Sequence, residues 1–205
     1  MFSTLRSQTG VGLRLLLVFT VVCGIVFPLV VWGVSRIPGL AHSAEGSTIT
    51  HDGAVVGSSV VAVDPVPADP AADPYFHTRP SASAQDVLGP ADPSTSGGSN
   101  KAADSTDLLD TVAQRRALIA AREGVAPEAV PADAVAASAS GLDPDISPDY
   151  AALQVDRVAR VTGLPVAEVE QLVGGATRGR VLGFLGEPTV NVPELNLAVA
   201  DAQGR

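Results

Sequence analysis

Ser96-Gly97-Gly98-Ser99-Asn100 is the stretch whose composition best suits a ligand cradle. Two glycines let backbone N–H groups approach a phosphate, and serine hydroxyls can donate to its oxygens. Lys101 is the cation beside it. No strand–loop–helix pattern of the phosphate-binding kind surrounds the segment, so a tightly turned loop is the competing reading. A second group is Tyr75, Phe76, His77 and Arg79, two aromatics beside two basic side chains. Such amphipathic residues anchor protein–protein contacts. A segment at the edge of the core, with Arg79 in an internal ion pair, would use the same residues. Asn191 and Asn196 fit either internal turns or contact with a partner.

Other chemistries do not assemble. The sequence has no G-x-x-x-x-G-K-[ST] phosphate loop and no G-x-S-x-G nucleophile elbow. His42, His51 and His77 show no H-E-x-x-H or comparable metal spacing. Asp143, Asp145 and Asp149 have the beginnings of a calcium loop. Pro148 then stands where that loop needs glycine, and Gln154 where it needs a bidentate glutamate. Neither a catalytic residue nor a metal ligand is therefore assigned.

The elements that must position these residues belong to a chain of 205 residues with a formal net charge of -9. One lysine and twelve arginines stand against 22 carboxylates, which disfavours nucleic acid as a partner. Aromatic residues make up 4%, too few for base-stacking platforms. The single cysteine, Cys23, excludes a disulfide framework within the chain. Hydrophobic residues reach 46% while charged ones reach 17%, and part of that excess is gathered near the N-terminus.

Residues 15–35 carry no charged side chain. A helix of that length spans roughly 30 Å, the thickness of a bilayer's hydrocarbon core. Arg14 and Arg36 bracket it, Trp32 suits the headgroup layer, and Pro28 is tolerated in a membrane span. A cleaved signal peptide is the rival, with Gly39-Leu40-Ala41 as a small-x-small site. The apolar run exceeds the usual h-region of roughly 7–15 residues, which favours a retained anchor. Residues 1–14 carry two arginines and no acid. Residues 41–205 carry all 22 carboxylates and ten basic residues, a net charge of -12. The positive-inside tendency places 1–14 in the cytoplasm and 36–205 outside.

In the outer part, Ser47–Val63 alternates around Asp52-Gly53, a hairpin signal. Asp64–Pro74 has four prolines in eleven residues and reads as an extended connector. Gly89–Thr106 reads as a long loop. Asp107 is expected to cap a helix over 108–123, with Leu109, Val112, Ala113, Ala117 and Ala120 on its inner face. Ser147-Pro148 starts a helix that Gly163 ends, and Pro165 opens a shorter one to about Val173. Thr189–Val192 favours a strand, while Glu194–Asp201 fits helix or strand. The fold class is α+β: a single N-terminal transmembrane helix followed by one mixed α/β extracytoplasmic domain.

Several segments are too particular to be generic. They are Tyr75-Phe76-His77-Thr78-Arg79-Pro80-Ser81-Ala82, Ser96–Asn100, Ser138–Pro148, Gln154–Arg160, and Gly183-Phe184-Leu185-Gly186-Glu187-Pro188 with Val190-Asn191-Val192. In this order, behind an N-terminal span, the chain resembles the C subunit of the Kdp potassium-transporting ATPase over nearly its whole length. It departs from the family's pattern at Asp145, where histidine is expected, and at Pro193, where leucine is expected.

That resemblance implies a bacterial cell membrane and a high-affinity, ATP-driven potassium importer. The implied partners are a channel-like potassium-translocating A subunit, a P-type ATPase B subunit, a small F peptide and the lipid bilayer. The implied role is an accessory, non-catalytic one, needed for assembly and acting as a catalytic chaperone that raises the B subunit's affinity for ATP. No tightly bound cofactor is implied, and ATP acts through the complex. Ser96, Gly97, Gly98, Ser99 and Asn100 are the nucleotide-binding candidates. Tyr75, Phe76, His77, Arg79 and Asn191 are the candidates for docking on a partner. The acidic surface is either a solubility feature or a negative field that gathers potassium at the pore mouth. A stand-alone, membrane-anchored ligand-binding module is the alternative from another class.

Overall fold

The computed structural model describes residues 2–204, in two compact units that divide between Ser47 and Thr48. The first unit is built on consecutive helical segments: α1 (Phe2–Val21), a π-helical turn (Val22–Val26) and α2 (Phe27–Ser35). Pro28 accounts for the interruption. Its ring would clash with the carbonyl four residues back, and it has no N–H to give. The widened turn relieves both problems, and the N–H of Phe27 reaches back to the carbonyl of Val22. Beyond the helix, the Arg36 guanidinium lies 5.6 Å from the Trp32 ring centroid and its Nη1 is 2.8 Å from Glu45 Oε1. A four-residue helix, α3 (Ala41–Ala44), follows.

The second unit opens with β1 (Thr48–His51) and β2 (Ala54–Ser58), an antiparallel pair with His51 opposite Ala54. The turn is the expected Asp52-Gly53, with φ of 49° and 77°. Positive φ at both central residues is what a two-residue hairpin turn needs, and Asp and Gly adopt it at low cost. Next comes α4 (Thr106–Glu123), then the short α5 (Ala132–Val135) and β3 (Asp145–Ile146). Helices α6 (Pro148–Thr162) and α7 (Val166–Ala176) follow, then β4 (Thr177–Arg178), β5 (Thr189–Asn191) and α8 (Val192–Ala202). The three later strands form an antiparallel sheet in the order β3-β5-β4. Mixed helix and sheet behind one apolar N-terminal helix is the architecture.

Local chemistry sets these bounds. Ser147 Oγ accepts from the N–H of Tyr150 at 3.0 Å, Pro148 opens α6, and Gly163 closes it with φ of 78°. The cap of α4 is Ser105, whose Oγ accepts from the N–H of Leu108, and not Asp107. Its inner face is also turned from the expected one. Arg115, Ile119 and Ala120 are buried, while Leu109, Ala113 and Ala117 face water. An arginine inside and a leucine outside defeat a pattern drawn from apolar residues alone. The tail is a helix, because Asn191 Oδ1 caps α8 by accepting from the N–H of Glu194 at 3.2 Å and Pro193 sits in the first turn.

The core joins α6 (Tyr150, Val155, Val158), α8 (Leu195, Val199), β5 (Val190), α4 (Ile119) and α7 (Val169) around Phe76. Tyr150, Phe76 and Ile119 are the largest fully buried side chains. Phe76 comes from the irregular segment between β2 and α4. The stretch of that segment around Phe76–Ser81 is therefore part of the packed interior.

Candidate functional site

Residues 75–79 belong to no helix or strand. Buried backbone groups must still find partners, and two side-chain amides supply them. Asn196 accepts from the N–H of Phe76 (2.7 Å) and donates to its carbonyl (2.8 Å). Gln154 does the same for His77, at 2.8 Å and 3.3 Å. Each amide presents one donor and one acceptor, as an adjacent strand would. The segment is thereby fastened to α8 through Asn196 and to α6 through Gln154.

His77 anchors a buried charge network. Its Nδ1 lies 2.8 Å from Asp64 Oδ2 and its Nε2 lies 2.6 Å from Asp73 Oδ2. Arg157, on α6, donates from Nη1 to the Asp73 carbonyl (2.8 Å), from Nε to Glu123 Oε2 (2.8 Å) and from Nη2 to Gln154 Oε1 (3.2 Å). Arg122 reaches Glu123 Oε1 from Nε (2.6 Å) and the Tyr150 hydroxyl from Nη2 (2.9 Å). The Glu123 and Arg157 side chains are 0% and 3% exposed. Three carboxylates, from Asp64, Asp73 and Glu123, meet His77, Arg122 and Arg157, so the cluster is neutral when the imidazole is protonated. Burying ions is tolerated only with such pairing.

The protonation states follow. Burial alone would lower the pKa of His77, but its bonds to Asp64 and Asp73 and the charge of Asp64 outweigh burial and the repulsion of Arg122, so it is raised. Burial alone would raise Asp73. The bond and charge of His77, the charge of Arg157 and the N–H of Tyr75 outweigh it and hold it below its ordinary value. Tyr150 is pushed up to about 12 by burial, against the opposing pull of Arg122. An imidazolium with both nitrogens committed to carboxylates offers no lone pair to a proton, metal or substrate. The arrangement holds the fold together.

The remaining docking candidates divide. Tyr75 stays partly exposed beside an apolar cleft of about 300 Å³ lined by Ile49, Val56, Val63, Pro65 and Leu197. Phe76 is wholly buried. Arg79 pairs with Asp143, whose other oxygen accepts from the N–H of Asp145 at 3.0 Å. Asn191 is buried and, besides capping α8, donates from Nδ2 to the carbonyl of Ser59 and to Asp145 Oδ1, both at 2.9 Å.

The serine–glycine segment lies against 138–141. Ser96 Oγ and the N–H of Gly97 both donate to the carbonyl of Ser140, at 3.0 Å and 2.9 Å. A Cβ on Gly98 would meet the Ala139 carbonyl at 3.1 Å, so the glycine serves a close backbone crossing. Gly98 and Ser99 also edge a cleft of about 370 Å³ with Lys101 and Arg115. Asn100 has φ of 51° and faces solvent.

Sequence reasoning missed the partners of His77. Asp64 and Asp73 lie in the proline-rich stretch taken for a connector, and Glu123, Gln154 and Arg157 look like ordinary helix residues. The one local signal was the i,i+4 spacing of Asp73 and His77.

Comparison with known proteins gives this arrangement its family. The family model described as KdpC, the K+-transporting ATPase c chain, matches residues 9–201. A potassium-transporting ATPase KdpC subunit from Kineococcus radiotolerans is 46% identical over 200 residues, covering 98% of this chain and 96% of the relative. Proteins of the same description from Streptomyces coelicolor and Rhodopseudomonas palustris are 45% and 44% identical. They cover 93% and 92% of this chain and 90% and 94% of their own. The sequence with the buried His77 network and the serine–glycine crossing thus belongs to the KdpC family, the c chain of potassium-transporting ATPases.

Proposed function

We propose that this chain is the single-pass accessory subunit of an ATP-driven potassium importer, anchored by its N-terminal helix with the second unit outside the cell. The observation that carries the anchoring is the helix itself. Gln8–Ser35 runs for 28 residues with Arg14 as its one charge, and its apolar side chains, from Val11 to Val34, are exposed. In water that surface is costly, and in a bilayer it is at home. The paired arginines and the absence of acids in residues 1–14 support an inward N-terminus.

In this reading the partners are a channel-like A subunit, a P-type ATPase B subunit and a small F peptide. The chain supports assembly and raises the affinity of the B subunit for ATP. With the second unit on the far side of the membrane from ATP, that effect is conformational and reciprocal: ATP binding tightens the hold of this chain on the complex. Ser96–Asn100, committed to the crossing over Ser138–Gly141, then acts in shaping the domain more than in holding a phosphate.

The test is purification of the tagged chain in mild detergent from cells expressing the remaining subunits. ATP hydrolysis is then titrated with and without the chain. Recovery of a channel-like and a P-type subunit, with a lower half-saturating ATP concentration when the chain is present, is expected. An unchanged ATP dependence refutes the chaperone role. Protection of the second unit from protease added to intact spheroplasts refutes the orientation.

A further inference from the structure

Between β4 and β5 the chain makes a tight hairpin whose tip is apolar. Val181 and Leu185 exchange both backbone hydrogen bonds, at 2.9 Å and 3.0 Å, across the turn. Leu182 and Phe184 at its end are 82% and 72% exposed, and Val181 and Leu185 are also exposed. Leu182 has φ of 56° and is followed by Gly183 at 81°. Positive φ is strained for a bulky residue with no polar side chain to bond locally. The first hairpin of the same unit solves the same backbone problem with Asp52-Gly53. At Leu182 neither turn chemistry nor internal packing calls for leucine. The side chain is held outward, against both strain and water.

We propose that Val181–Leu185 is a docking wedge that enters an apolar recess on another protein subunit of the same complex. This rests on the reading of the chain as a subunit. The charges at the base of the hairpin select a protein over a lipid surface. Arg178 is paired with Glu194 at 2.7 Å and Arg180 with Glu187 at 2.5 Å, so the base is neutral. Residues 41–205 carry a net charge of -12. Interfacial binding by a short apolar tip is strengthened by basic residues facing anionic headgroups, and here they are offset. An exposed apolar patch with a polar rim, led by an aromatic and presented on a preformed turn, has the makeup of a protein–protein hot spot. The turn is also held firmly: β4 and β5 pair at its base, and β5 pairs on its other edge with β3.

The wedge is tested in the complete complex. Leu182→Ser with Phe184→Ser removes the apolar tip while touching side chains that are mostly in solvent, so the chain should fold and insert normally. Association with the other subunits is expected to weaken roughly 30-fold or more. Undiminished co-purification overturns the wedge alone, whereas failure of the unaltered chain to co-purify overturns the subunit reading beneath it. A Phe184→Trp probe in a Trp32→Phe background separates the occupants. Shielding of its fluorescence from an aqueous quencher only when the other subunits are present supports the protein recess. Shielding with the chain alone in lipid nanodiscs overturns it in favour of the bilayer, and no shielding in either state overturns it outright.

Discussion

Replacing Arg157 with methionine is expected to destabilise the second unit by about 3–5 kcal/mol. Methionine keeps most of the aliphatic volume and deletes the guanidinium. Asp73 keeps His77 at 2.6 Å and Glu123 keeps Arg122 at 2.6 Å, so neither carboxylate is abandoned. What disappears is the bond from Nε to Glu123 and that from Nη1 to the Asp73 carbonyl, both 2.8 Å, the bond from Nη2 to Gln154 at 3.2 Å, and the ion pair of Nη1 with Asp73 Oδ2 at 3.3 Å. Buried charge-assisted bonds are worth about 1.5–3 kcal/mol each, and the cluster is left with one uncompensated negative charge. For a unit of this size the loss lowers Tm by about 6–20 °C. Thermal unfolding of the detergent-solubilised full chain, followed by circular dichroism, measures it. Adding Glu123→Gln removes the stranded charge. The double variant should therefore cost less than the two single changes together, by about 0.5–3 kcal/mol. A Tm within about 2 °C of the unaltered protein, or strict additivity in the double variant, would refute the idea of one coupled network.

Three further outcomes follow from the geometry. His77 is raised in the folded state, so its contribution is complete below the unfolded value of about 6.5 and is lost as pH rises through the folded one. The urea midpoint should fall on that alkaline side in the unaltered chain and stay flat there in His77→Gln. The lowered Asp73 acts in the opposite sense, so its contribution is lost as pH falls through its depressed value. Gly141→Ala should destabilise by about 1–3 kcal/mol, since φ is 74° and the new Cβ would meet Ser81 Oγ at 2.8 Å and the Gly97 carbonyl at 3.1 Å. An unchanged Tm would mean that the crossing is slack. Ser147→Ala removes the cap of α6 and the 2.8 Å bond to Asp133, and should cost about 1–2 kcal/mol by urea titration.

Where local chemistry decides, the sequence was readable. Asp52-Gly53 marks the first hairpin, and Ser147, Pro148 and Gly163 mark both ends of α6, because each acts through its own backbone neighbours. Reading failed where distant residues decide. The inner face of α4 is set by Arg115, which points inward to donate to the carbonyls of Val87 and Val135, each at 3.2 Å. No apolar periodicity can announce an arginine satisfied by a loop far along the chain. The class of the last element stayed open because its start depends on Asn191, whose amide also holds Ser59 and Asp145. The His77 network is the extreme case. Its members are scattered from Asp64 to Arg157 and become one feature only when three segments meet.

The proline-rich stretch shows why this scattering has a physical sense. Asp64–Pro74 forms no α-helix and no strand, only one 3-10 turn at Pro70–Ala72 capped by Asp69, so it gains little from a regular hydrogen-bond ladder. It is fixed instead by its acids: Asp64 on the N–H and hydroxyl of Thr78, at 2.7 Å and 3.1 Å, and Asp73 on His77 and Arg157. Proline lowers the entropy of the unfolded chain and the carboxylates supply the directional contacts. The charges with the most chemical potential are thus consumed in closing the domain on itself. Among its exposed apolar residues, Tyr75 beside the cleft and Leu182 and Phe184 at the hairpin tip remain open to a second molecule. In the proposed subunit role, a unit built this way acts by touching a partner, and its proposed influence on ATP passes through that contact.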